Sequence, residues 1–166
     1  ECVKEAARKA LAEGKTGYTP SNGILPLREA IAAYYQRHYG VSVSPERIVV
    51  TQGSAPALMS LLAALCDKDD TVLTPGPTYA CYDSAIRFAG ASSIRVPCAE
   101  ERGFQLDPES AKSHVRENTR VIMVNSPSNP GGTLISGEDL KSLAELGPML
   151  LSDEIYHGLE YEGRAV

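Results

Sequence analysis

The sequence has little that would point to a metal site or a membrane. Its four cysteines, at positions 2, 66, 81 and 98, show no CxxC spacing and have no histidine cluster beside them. The spacing of His38, His114 and His157 sets up no ligand pattern, and Asp67, Asp69 and Asp70 read as a solvated loop. We therefore assign no metal site. No apolar run approaches the about 20 residues that a membrane-spanning helix requires. Lysines and arginines are scattered, the net charge is −5, and no basic stripe is interleaved with aromatics, which argues against a nucleic-acid partner. Repeats and low-complexity tracts are absent, and no linker divides the 166 residues. Neither GxGxxG nor GxxxxGK[ST] occurs, so nicotinamide and nucleoside-triphosphate readings lose their main support.

What is present is an ordinary globular composition, 43% apolar and 22% charged, organised as alternating short strands and amphipathic helices. The opening segment, Glu1 to Arg8, has no signal-peptide layout and reads as a helix entered partway along, which predicts a chain taken from something longer. Leu27, Ala30, Ile31, Tyr34 and His38 share one helical face. Arg47 to Thr51 is strand-like, and Leu58, Leu61, Leu62 and Leu65 follow at helical spacing, with Cys66 predicted to be a buried, reduced thiol. Thr71–Thr74 predicts a strand, about Tyr79 to Phe88 a helix, and Ser93–Val96 a strand. Asp107-Pro108 predicts a capped helix start, and Ser136 to Asp139 another. Apolar runs at Val121–Val124 and Met149–Leu151 predict two buried strands. Fully apolar strands alternating with helices imply an α/β fold, a mostly parallel sheet with helices on both faces, whose ligands collect at the carboxyl ends of strands.

Several polar segments fall at those ends. Asn125-Ser126-Pro127-Ser128-Asn129-Pro130-Gly131 follows one apolar run and Ser152-Asp153-Glu154-Ile155-Tyr156 the next, delivering an amide, a carboxylate and a phenol to one sheet edge. That set suits a flat, nitrogen-containing, phosphorylated ring. By themselves, Asn-Pro-Gly is equally a turn, and Asp153 equally an N-cap. Thr51-Gln52-Gly53-Ser54-Ala55 runs from a strand into a helix, where free N–H groups and the helix dipole favour a phosphate; a tight turn with a serine N-cap explains it as well. Tyr79, after Pro75-Gly76-Pro77-Thr78, is either a stacking platform or plain packing. Gly17-Tyr18-Thr19-Pro20-Ser21-Asn22-Gly23 is by composition a loop.

In this order, from about Lys15 to Gly163, these segments resemble the class I/II aminotransferases that depend on pyridoxal 5'-phosphate (PLP), of fold type I. The resemblance implies a role for each. Gly53, Ser54 and Ala55 would cup the phosphate, although members often carry a longer polar side chain at the position of Ala55. Tyr79 would stack on the pyridine ring, Asn129 and Tyr156 would hydrogen-bond its phenolic oxygen, and Asp153 would keep its nitrogen protonated. Tyr18 would cross a homodimer interface to the neighbour's phosphate.

The resemblance also implies a lysine that holds the cofactor as a Schiff base, after a serine-rich stretch downstream of the Asp-Glu-x-Tyr segment. Lys4, Lys9, Lys15, Lys68, Lys112 and Lys141 do not match that context. The expectation is thus that residues 1–166 are an incomplete PLP-binding large domain, lacking the small domain and inactive alone. Its parent would be a cytoplasmic, homodimeric enzyme moving an amino group between an amino acid and a 2-oxo acid. A related fold type I lyase or synthase would keep the same residues. An aminotransferase-like ligand-sensing domain of a transcriptional regulator is a further alternative.

Overall fold

The computed structural model describes residues 1–161. They fall into two compact units, divided between Gln52 and Gly53.

The first unit is built on two helices. Helix α1 (Cys2–Ala12) buries no side chain. Helix α2 (Leu25–Tyr39) starts with Pro26 in its first turn, where a missing N–H costs nothing, and ends at Gly40 in the left-handed conformation. The face predicted to be apolar is not buried: Leu27, Ala30, Tyr34 and His38 are exposed, with Tyr34 stacked on the His38 ring. The side chain that α2 buries is Arg28. Its guanidinium donates to Gly23 O at 3.1 Å, Pro45 O at 2.8 Å and Glu46 Oε1 at 3.3 Å, so the buried charge has two carbonyls and a carboxylate as partners. Gly23 is required where it stands: its φ is 94°, and a Cβ would lie 2.7 Å from Val50 Cβ.

Arg47 to Thr51 corrects the sequence expectation. Arg47 closes a 3-10 turn, Pro45–Arg47, capped by the Ser44 hydroxyl. The residues after it join no sheet ladder among the described residues; the Val50 N–H donates instead to Asn22 O at 3.1 Å. Branched side chains suit a strand, but a strand also needs a neighbour to pair with.

The second unit carries helix α3 (Ser54–Leu65), strand β1 (Thr71–Gly76), helix α4 (Cys81–Phe88), strand β2 (Ser92–Pro97), helix α5 (Pro108–His114), strand β3 (Thr119–Asn125), helix α6 (Gly137–Ala144) and strand β4 (Met149–Asp153). Two predicted caps form: Asp107 accepts from the Ser110 N–H at 2.8 Å, and Ser136 from the Asp139 N–H at 3.0 Å. Helix α4 starts later than Tyr79, because Tyr79 sits in the turn that leads into it.

The four strands are all parallel, in the order β2-β1-β3-β4. Alternate residues point to opposite faces, and each face has its own core. Val72, Val121, Met123 and Leu151 pack with Leu58 and Leu62 of α3 and Tyr82 and Ile86 of α4. Leu73, Ile122 and Val124 pack with Leu106, Ala111 of α5 and Leu143 of α6. Burying a leucine such as Leu62, which is 0% exposed, is worth about 1.5–3 kcal/mol. Helices on both faces of a parallel sheet are what the sequence predicts. From β1 the chain steps one way to β2 and then back past β1 to β3 and β4, so the carboxyl ends of β1 and β3 form a switch point, where such sheets bind ligands.

Candidate functional site

The register of β3 and β4 sets Asn125 beside Asp153, so both segments leave the sheet side by side. Asn125, only 4% exposed, ties them together. Its amide N–H donates to Asp153 O at 2.8 Å, and its carbonyl oxygen accepts the Asn129 N–H at 2.6 Å. The Ser126 N–H also reaches Asp153 O, at 3.2 Å. The loop carrying Asn129 is closed by Ser128 N–H to Thr133 O, 2.9 Å, and anchored by Gln105, whose amide donates to the same Thr133 O at 2.8 Å. Asn129 is thus held by backbone and side-chain bonds at once.

The predicted side chains then meet. Asn129 Nδ2 donates to the Tyr156 hydroxyl oxygen at 3.1 Å, which leaves the Tyr156 hydroxyl proton available to another acceptor. Asp153 Oδ1 accepts the Ile155 N–H at 3.2 Å, and Oδ2 accepts the hydroxyl of Tyr82 at 2.7 Å. Tyr79 meets the Tyr82 ring edge-on, with centroids 5.7 Å apart. A bond to Cys81 and nearby Cys81, Tyr156 and Asp153 charge, with some desolvation, push the Tyr79 hydroxyl above the ordinary phenol range.

Helix α3 supplies the remaining wall. Gly53 takes its N-cap position with φ 112°, a conformation that favours glycine, and has no side chain of its own to cap the helix. Ser54 is therefore the first helical residue and not the serine cap that the sequence also allowed. Ser54, Tyr79, Asn129, Asp153 and Tyr156 line one cavity of about 80 Å³. Gly53 and Ala55 flank Ser54 without lining it. Tyr18 belongs to the first unit, where it is fully exposed. The cavity is much smaller than the ~300–1,000 Å³ of a complete small-molecule site. A broader hollow of about 950 Å³ shares Asn129 and Tyr156 and is bordered by Arg102 and Tyr161.

Two residues of the cluster escape sequence reasoning, Tyr82 and Asn125, and both line the same cavity. Tyr82 lies three residues beyond Tyr79, a spacing that puts side chains on one side of a helix, and this was the available signal. Asn125 looks like a strand's polar end, with nothing local to mark its bridging role. No lysine lines the cavity, and no group of three or more histidine, cysteine or acidic side chains placed to hold a metal ion occurs among the described residues. Nor is any helix among them long and apolar enough to cross a membrane.

Comparison with known proteins agrees with this geometry. The family model "Aminotransferase class I and II" matches residues 1–166. The probable aspartate/prephenate aminotransferase of Thermus aquaticus is 44% identical over 98% of this chain and 44% of its own length. The aspartate aminotransferase of Bacillus subtilis is 35% identical over 98% of this chain and 42% of its own. The solved structure of Thermus thermophilus aspartate aminotransferase with maleate superposes with a TM-score of 0.94 at 44% identity, covering 98% of this chain and 44% of that one. The chain thus spans less than half the length of the curated relatives it matches. With the family model matching residues 1–166 and the sheet matching the solved relatives, the chain belongs to the class I and II aminotransferases, a family whose cofactor is pyridoxal 5'-phosphate.

Proposed function

We propose that this chain is an incomplete, PLP-binding large domain, and that its parent is an aminotransferase exchanging an amino group between an amino acid and a 2-oxo acid. The observation that carries the reading is the convergence of Ser54, Tyr79, Asn129, Asp153 and Tyr156 on one cavity at the strand ends. The donor set fits the cofactor group by group. A carboxylate suits a protonated ring nitrogen, an amide and a phenol suit a phenolate oxygen, an aromatic face suits a flat ring, and a helix start suits a phosphate.

When bound, PLP supplies an electron sink for the carbanion left when an amino acid loses its α-proton. The chain's own residues prepare that sink. Asp153 holds the proton on the ring nitrogen. Asn129 and Tyr156, already bonded to each other, would both hydrogen-bond the phenolic oxygen. Tyr79 covers a ring face and keeps water from it. The helix start at Gly53, Ser54 and Ala55, with the Ser54 hydroxyl, takes the phosphate. Tyr18, fully exposed, is free to reach a neighbour's phosphate in a homodimer. None of the six lysines lies at the cavity, so the amine that moves the substrate proton comes from elsewhere in the parent, and this piece alone does not turn over. Four free cysteines agree with a reducing, cytoplasmic setting.

The relatives named for aspartate and prephenate make those compounds and their amino or oxo partners the first substrates to try. The test gives the complete protein a ¹⁵N-labelled amino acid and an unlabelled 2-oxo acid. Label appearing in the newly formed amino acid is expected. Release of ammonia with loss of a side-chain substituent would assign a lyase instead.

A further inference from the structure

We propose that Tyr82 is a positioning residue for the cofactor site: its hydroxyl sets the direction of the Asp153 carboxylate, while its ring sets the angle of Tyr79. The inference rests on the reading of Asp153 given above. Tyr82 sits in the first turn of α4, 0% exposed, packed in the core with Leu58, Leu62, Val121 and Met123. A phenol buried among apolar side chains needs a partner for its polar tip. The partner is Asp153 Oδ2, at 2.7 Å and 71 residues further along the chain.

Packing alone would be served by phenylalanine; the hydroxyl is what links α4 to the end of β4. With the Ile155 N–H on Oδ1 at 3.2 Å and the phenol on Oδ2, each carboxylate oxygen has a donor. The terminal torsion of an aspartate is otherwise broad, so a single bond on Oδ1 would leave the group free to turn. Two bonds fix its plane and leave lone pairs to face the cavity that both side chains line. Burial, then the bond to Asp153 and its charge, hold the Tyr82 hydroxyl well above the ordinary phenol range, so it remains a donor at any working pH. The edge-on contact at 5.7 Å makes the same side chain a prop for Tyr79. Tyr82→Phe separates the two contributions, since it keeps the prop and removes the donor.

The test uses the complete protein loaded with PLP labelled with ¹⁵N in its ring. For Tyr82→Phe we expect PLP affinity to fall about ten-fold, the size of losing one hydrogen bond to a charged group. We also expect the ring ¹⁵N resonance to move, and kcat to fall while KM for the amino donor stays within two-fold, about the noise of a comparison of binding energies. Should this variant not fold, a fluorinated tyrosine at position 82, a stronger donor of the same shape, must move the ring resonance in its place. Wild-type PLP affinity together with an unmoved resonance would overturn the inference, leaving Tyr82 a packing residue. Asp153→Asn is the control that separates the two claims: it must move the resonance to that of an unprotonated ring. If it does not, the assignment of Asp153 falls and takes the role of Tyr82 with it; if it does and Tyr82→Phe matches wild type, only the role of Tyr82 falls.

Discussion

Residues 53–161 bury an apolar layer on each face of a parallel sheet, whereas α1 and α2 of the first unit bury a single side chain, and that one is charged. Both regions carry amphipathic helices in their sequences. The difference lies in what each unit contains: the second a sheet whose faces match the helices in alternation, the first no strand among the described residues. An amphipathic pattern chooses which side chains could be buried, and only a partner surface makes the burial happen. The strand-end cavity lies where that partner exists. Asn125, Asp153 and Tyr82 hold their positions because the strands and helix beneath them are packed.

Mutation can sharpen this contrast or break it, with urea unfolding of the chain as the measurement. Leu62→Ala, in the core beneath α3, should destabilise by about 3 kcal/mol through lost transfer energy and a cavity. Val49→Ala, at an exposed apolar position of the first unit, should change stability by less than about 0.5 kcal/mol. Comparable losses would mean that the first unit has an apolar core of its own. Arg28→Ala should be the costly change in that unit, about 2 kcal/mol, because the Gly23 and Pro45 carbonyls lose their donor and Glu46 its ion-pair partner. A smaller effect than that of Val49→Ala would contradict its role as the buried anchor of α2.

Asp107→Ala should cost about 1 kcal/mol at neutral pH, the worth of a helix cap. Its pH dependence follows from the Ser110 N–H, which, aided by Arg102, holds the Asp107 carboxyl below the ordinary range. A depressed folded pKa gives stability that is present above the unfolded value and lost as pH falls through the folded one. The gap between variant and wild type should therefore be full at pH 7 and close in acid, below about pH 4. A gap that persists in acid would place the effect in packing.

The sequence revealed most where a signal was local. Strands β3 and β4 were marked by apolar runs, β1 and β2 by short strand-like segments, and α5 and α6 by Asp107 and Ser136 at their starts. It revealed least where the outcome depended on a distant partner. Ile48 to Thr51 has strand residues but joins no ladder, because pairing is decided elsewhere in the chain. Arg28 was hidden by its charge, and its burial depends on the Gly23 and Pro45 carbonyls that it satisfies. At the site, Asn129, Asp153 and Tyr156 were legible from their places after apolar runs. Tyr82 and Asn125 were not, since each acts through a hydrogen bond to a residue that only folding brings near.

The central claim is that the Asp153 carboxylate faces a protonated cofactor ring. Its most direct test is turnover and cofactor absorbance of the complete protein carrying Asp153→Ala. Loss of the electron sink predicts a fall in kcat of at least about 10²-fold, the scale of removing one preorganised electrostatic contact, with an altered cofactor spectrum. Wild-type turnover with an unchanged spectrum would contradict the account.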